Sequence, residues 1–186
     1  MMPELSLHVL DIVENSTKAN ATLVTISISI QTLLDLLTIT IIDNGCGMTP
    51  KQLAQVKDPF FTTRTTRKVG LGVPFFQMAA EAANGSFTIQ SEENIGTKVC
   101  ATFQLSHIDR MPLGDINLTI HQLILMHPTC DFLYQYEYNN RSFTLDTREF
   151  REILGDIPFH TPEVSTYIKQ YLSEHETEVN QGQINI

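Results

Sequence analysis

The sequence predicts an α/β (α+β) fold, a two-layer sandwich in which a mixed, mostly antiparallel sheet carries helices on one face, with an α/β extension at the C-terminal end. Three observations predict it. LVTISISIQ alternates without a break, with Val24, Ile26, Ile28 and Ile30 on one face and Thr25, Ser27 and Ser29 on the other. That period of two is the mark of a half-buried strand. ELSLHVLDIVENSTKA instead spaces Leu5, Val9, Ile12 and Val13 by steps that suit one helix face. Finally, the two kinds of segment are interspersed up to about Leu105: helix, strand, strand, short helix, helix, strand, strand.

Each element has a local reason. The first helix spans about residues 4 to 19, and Asp11, Glu14, Asn15 and Lys18 form a polar stripe beside its apolar one. LLTITII, residues 36 to 42, is a second strand that pairs with the first as a hairpin. DNGCGMT is loop by composition. Thr49 as N-cap and Pro50 at the first helical position start a short helix. KDPFFTTRTTRKVGLG is irregular and basic. VPFFQMAAEAANG is a helix with Pro74 in its first turn and Gly85 as its C-cap. Two strands then flank a turn at ENIGT.

The character changes after Leu105, and we divide the chain into 1–106 and 107–186. GDINLTIHQLILMHP reads as a helix, and CDFLYQYEYNNRSFTLD as a hairpin turning at Asn139 and Asn140. Asp146 and Glu149 form a capping box. The last helix is capped by Thr161, with Pro162 inside it. His175, followed by Glu176, reads as a solvated histidine on a polar terminal helix.

Composition narrows the function. The chain has 186 residues, of which 42% are hydrophobic and 18% charged, and a formal net charge of −9; this length can bury a sizeable core. Nine acids face seven bases up to Ser106, and twelve face five beyond it. An acidic surface argues against nucleic acid and against an anionic membrane as main partner. No signal peptide or membrane span is expected. Cys46, Cys100 and Cys130 are odd in number and far apart, which suits reduced cytoplasmic thiols better than disulfides or a zinc site.

One stretch raises a chemical question. TIIDNGCGMTP ends an apolar run in a carboxylate, followed by two glycines one residue apart. This is either an ordinary turn or a place where something flat lies on the main chain while Asp43 reads its edge. Gly45 and Gly47 lack the Cβ atoms that would block such an approach. Further along, Gly70, Leu71 and Gly72 open a helix, whose free N–H groups and dipole favour phosphate. Arg64, Arg67 and Lys68 bring positive charge to that segment.

Taken in order, DIVENSTKANAT on the first helix, DNGCGM after the second strand, GLG before a helix and IGT in a late hairpin resemble the histidine-kinase-like (GHKL, Bergerat-fold) ATPases over residues 4 to 105. DPFFTTRTTRKVGLG is similar to the corresponding passage of sensor histidine kinases, and the domain as a whole resembles most the ATP-binding domain of sensor histidine kinases and anti-sigma kinases. The resemblance implies ATP with Mg²⁺ as cofactors. It implies that Asp43 receives the adenine amino group, with Gly45, Gly47 and Thr97 completing the base site. It implies that Asn15 holds the metal. It makes Arg64, Lys68, Gly70, Leu71 and Gly72 the candidate phosphate-binding residues. Lys68 stands where the kinase pattern has its first glycine. DIVENSTKANAT also resembles the gyrase and mismatch-repair form of this helix, in which the residue four before the asparagine is the general base; here that is Asp11, with Glu14 as an assisting carboxylate.

Two classes of function follow from the resemblance. One is an ATP-dependent kinase or ATPase acting on a separate partner protein, since only three residues precede the first helix and a phosphoacceptor hairpin upstream is not expected. The other is a non-hydrolysing module in which ATP orders residues 58 to 72, and which grips a regulatory partner through that lid or through the acidic C-terminal part. A cytoplasmic location is expected, and oligomeric state is left open.

Overall fold

The computed structural model describes residues 3–56 and 72–183. Helix α1, Leu5–Lys18, turns the apolar stripe of the sequence inward. Leu5, Val9, Ile12 and Val13 are each 4% exposed or less, which at about 1.5–3 kcal/mol per fully buried aliphatic side chain anchors the helix to the sheet. Strands β1, Leu23–Gln31, and β2, Leu36–Asp43, form the expected antiparallel hairpin. A single 3-10 turn joins them, ending at Asp35 with φ of +52°.

The short helix α2, Pro50–Val56, starts at the expected cap. The Thr49 hydroxyl accepts from the Gln52 amide N–H at 3.3 Å, while the Gln52 side chain accepts from the Thr49 N–H at 2.8 Å. Helix α3, Gly72–Ala82, leads into β3, Phe87–Glu92, and β4, Gly96–Gln104. Gly85 is not the left-handed residue at the end of α3; Asn84 is, with φ of +53°. Gly85 is glycine because a Cβ there would lie 1.7 Å from the Thr102 carbonyl oxygen.

Beyond β4 come α4, Ile116–Met126, the hairpin β5, Asp131–Tyr138, with β6, Arg141–Asp146, and helices α5, Thr147–Leu154, and α6, Pro162–Asn180. Two local expectations are corrected here. Asp146 accepts from the Arg148 N–H at 3.0 Å and holds the Arg148 guanidinium, so Arg148, not Glu149, is its capping partner. Thr161 stands at the N-cap of α6 as expected but makes no side-chain cap bond; Pro162 and the first-turn acid Glu163 are the start signals there.

The six strands among the described residues form one sheet in the order β3-β4-β2-β1-β5-β6. Every pairing is antiparallel except β1 with β5, which run parallel from Leu23–Asp131 to Ile30–Tyr138. The segment after Ser106 therefore continues the sheet of the first. Parallel neighbours need a long crossover, and α4 packs against α1 within that crossover. The inward residues of β1, β2, β4 and β5 share one face and build a single core with the helices.

His8 sits inside this core. It is 1% exposed and stacks on Phe76 of α3 at 5.4 Å, and neither ring nitrogen has a hydrogen-bond partner among the described residues. Burial lowers its pKa to about 4, well below the ordinary value of a histidine. The unfolded chain thus binds a proton that the folded chain refuses as pH falls below 6.5, so stability is lost in that direction until about pH 4. Between pH 7.5 and pH 5 the loss should be on the order of 1–2 kcal/mol. His8→Phe should remove most of that slope in denaturant titrations at the two pH values; an unchanged slope would mean that other groups carry it.

Candidate functional site

The last turn of α1, the end of β2 and the start of β4 converge on one carboxylate. Asp43 ends β2 and is 8% exposed. It lies opposite Thr97 in the β2–β4 register and opposite Val24 in β1, so its side chain points toward the helices. Its Oδ2 accepts from the Ser16 hydroxyl at 2.6 Å, and its Oδ1 accepts from the Gly45 N–H at 2.9 Å and the Thr97 N–H at 3.3 Å. An ionised carboxylate offers about four acceptor positions, so three protein donors leave room for one more. That remaining place has the chemistry to accept from an amine, and Asp43 is the residue for which the family resemblance implies one.

Ser16 was not among the expected site residues. It lies three and four residues after Val13 and Ile12, within the apolar stripe of α1, and is 3% exposed. A hydroxyl in that position needs a buried partner, which is the signal that would have found it. Thr97 donates its backbone N–H to Asp43, and its hydroxyl pairs with the Ser91 hydroxyl at 2.8 Å. Asn44, the next residue after Asp43, turns outward and ties the loop to β1. Its side-chain oxygen accepts from the N–H groups of Thr22 and Leu23 at 2.8 and 2.9 Å.

The glycines here have reasons internal to the protein. A Cβ on Gly45 would lie 2.9 Å from the Ala19 carbonyl oxygen, at the end of α1. Gly47, at φ of +63°, would place one 1.9 Å from the Glu92 carbonyl, and Gly96, at φ of +137°, one 1.9 Å from the Asp43 carbonyl. Backbone bonds run through the same contacts: Cys46 N–H to the Ala19 carbonyl at 2.9 Å, and Asn94 N–H to the Cys46 carbonyl at 2.7 Å. The loop after β2 is thereby pinned between α1 and the β3–β4 turn.

Of the polar stripe on α1, Asn15 is exposed and Asp11 half-buried. Asp11 reaches the opening of α3: a Cβ on Gly72 would lie 2.0 Å from Asp11 Oδ2. The structure thus brings the carboxylate of the first helix against the helix start that sequence marks for phosphate. Glu14 is committed elsewhere. Its Oε1 lies 2.6 Å from His127 Nε2 and its Oε2 lies 3.6 Å from Lys18. Arg64, Arg67, Lys68, Gly70 and Leu71 lie outside the described residues.

His175 is not the solvated residue that the sequence suggested. It stacks on Tyr171 at 3.9 Å, faces Phe143 at 5.7 Å, and its Nδ1 lies 2.8 Å from the Tyr171 carbonyl. Its neighbour Glu176 bonds to the Asn117 side chain, and burial raises its pKa.

The family model for histidine kinase-, DNA gyrase B- and HSP90-like ATPases matches residues 3–107, more than half of the chain. The chain belongs to this family. It is therefore an ATP-binding module of the histidine-kinase-like type. Among curated relatives, it is 37% identical over 108 residues to the sensor protein kinase FleS of Pseudomonas aeruginosa, covering 58% of this chain and 26% of that protein. It is 34% identical over 90 residues to the sensor protein DegM of a Bacillus species, covering 48% and 24%. The chain thus spans only about a quarter of the length of these relatives. A crystal structure of the N-terminal domain of a DNA repair protein shares the fold, with a TM-score of 0.56 at 14% identity over 78% of this chain and 53% of that one. That coverage exceeds what residues 3–107 supply, so the shared fold runs on into the C-terminal segment. No helix among the described residues is long and apolar enough to cross a membrane.

Gly47→Ala tests the pinning of the loop. It forces alanine into left-handed backbone, costing about 1–2 kcal/mol by itself, and drives a methyl group into the Glu92 carbonyl. Thermal unfolding should show a loss of at least about 2 kcal/mol; a variant as stable as the parent would mean that the loop is not held as described.

Proposed function

We propose that this module binds Mg-ATP in the cleft between α1, the loop after β2 and the start of α3, and uses it in kinase-like regulation of a separate partner protein. The observation that carries the reading is the Asp43 carboxylate, buried, held by three protein donors and left with one acceptor position. In this reading Asp43 receives the exocyclic amine of adenine. An amine satisfies that position; the carbonyl that guanine carries there would set two acceptors against each other. Thr97 and Ser16 hold the carboxylate in place, and Gly45 and Gly47 let the base lie close to the loop backbone.

Asn15 suits the metal. Its amide oxygen is exposed on the same helical turn as Ser16, and an amide oxygen is a proper ligand for Mg²⁺. One amide is too small a ligand set by itself, so the metal would arrive with the phosphate oxygens and keep several waters. Bound Mg-ATP supplies the transferable phosphoryl group and neutralises charge as it leaves. Gly72 presents the first turn of α3 to the phosphates, and the family resemblance implies Arg64, Lys68, Gly70 and Leu71 as candidates for the same task. Asp11, beside Gly72, is the group positioned to take a proton from the attacking hydroxyl or water. The tie between Glu14 and His127 favours Asp11 over Glu14 for that role. The sensor kinases among the relatives support phosphoryl transfer to a protein as the family of reactions, and the acidic surface after Ser106 supports a protein partner.

Calorimetry with ATP, with and without Mg²⁺, followed by a phosphate-release assay on the same sample, tests the reading. Asp43→Asn should weaken ATP binding by about 100-fold, because an amide group meets donors with a donor. Asp11→Asn should remove turnover while ATP affinity stays within about threefold. Equal affinity for ATP and GTP in the parent would remove the adenine assignment. A thiol footprint gives an independent check. Cys46 is exposed in the loop after β2, whereas Cys130 is buried and burial pushes its thiol up to about 11. Limiting maleimide should label Cys46 first, and Mg-ATP should slow that labelling.

A further inference from the structure

Asn15 sits on the last turn of α1 between two tethers. Successive helical residues point about 100° apart, so Asn15 projects midway between Glu14 on one side and Ser16 on the other. Ser16 is tied inward to Asp43 at 2.6 Å. Glu14 is tied at 2.6 Å to His127, which caps the C-terminus of α4. The connection between α4 and β5 that carries His127 also reaches the other half of the cleft. The Asp131 N–H donates to the Thr22 carbonyl at 2.9 Å, and Thr22 is the residue to which Asn44, beside Asp43, is bound. Arg151 of α5 clamps that connection. Its Nη2 donates to the Pro128 carbonyl and its Nε to Asp131 Oδ1, both at 2.7 Å, and its guanidinium lies 4.6 Å from the centre of the Phe159 ring.

We propose that His127 is a positioning residue for the metal side of the nucleotide site: by holding Glu14 it fixes the rotation of the last turn of α1 and so the direction of the Asn15 amide. The C-terminal segment thereby completes the site as well as extending the sheet. This rests on the reading of Asn15 as a Mg²⁺ ligand. The Ser16 bond to Asp43 and the Cys46 N–H bond to the Ala19 carbonyl hold the inward side of this last turn, which leaves its outward side, at the open end of the helix, free to tilt about those contacts. A second tether on the opposite side removes that freedom. Groups that orient a ligand without touching the metal commonly govern its affinity by about 10- to 100-fold.

The experiment measures ATP affinity of the full chain, with and without Mg²⁺, for the parent, His127→Ala and His127→Gln. His127→Ala should keep its metal-free affinity within about twofold and lose about tenfold of the gain that Mg²⁺ gives. His127→Gln, whose amide can still donate to Glu14, should recover most of it. Adding His127→Ala to Glu14→Ala should cost nothing further, since both remove one contact. An unchanged Mg²⁺ gain in His127→Ala overturns the proposal, as does an equal fall with and without the metal. Should His127→Ala fail to fold, Glu14→Ala alone must reproduce the loss, and an unchanged gain there overturns it too. A parent that binds no ATP removes the functional reading instead. A parent that binds ATP with no gain from Mg²⁺ removes the metal assignment of Asn15 and this proposal with it.

Discussion

The site is organised around a carboxylate that the protein has almost removed from water. Leaving Asp43 buried without donors would cost several kcal/mol. Three donors prevent this, and each comes from a different piece of chain: the Ser16 hydroxyl from α1, the Gly45 N–H from the loop after β2, and the Thr97 N–H from β4. The same three bonds therefore decide where these pieces sit relative to one another. A geometry that satisfies the carboxylate also closes the end of α1 over the end of β2, which forms the cleft.

The rest of the cleft follows from close backbone approach. Gly47 against Glu92, Gly96 against Asp43, and Gly45 against Ala19 leave no space for a methyl group at any of the three. The loop is shaped by its neighbours before any ligand is considered. A preshaped loop loses little entropy on binding a flat ring, which is where affinity for small ligands is commonly lost. Asp11 against Gly72 extends the principle to the phosphate end, where a missing side chain on α3 lets a carboxylate from α1 come into contact.

The parallel pairing of β5 with β1 gives residues after Ser106 a place in this arrangement. It brings Asp131 beside Leu23, at the same sheet end as Asp43, and brings the end of α4 beside the end of α1. A segment with no recognisable motif thus contributes contacts on both sides of the cleft. Its share of the common core is aromatic, with Tyr134, Tyr136 and Phe143 packed under α6, and its acidic residues are mostly left at the surface.

Read alone, the residues determined a good deal. The alternation of LVTISISIQ, the helical spacing of Leu5, Val9, Ile12 and Val13, and the cap at Thr49 are local signals, and the elements appear where those signals stand. The family was legible because its motifs are short, ordered and placed on local structure. Tertiary structure decided what depends on contacts between distant residues. The partner of Arg148 at Asp146, the reason for Gly85, and the stacking of His175 on Tyr171 all turn on neighbours that spacing does not reveal. Ser16 stood at the boundary: its place in an apolar stripe demanded a partner, but only the fold named Asp43, 27 residues away. The bond between Glu14 and His127 spans 113 residues. Nothing in either local sequence points to it, because it exists only once a parallel strand has carried α4 to the side of α1.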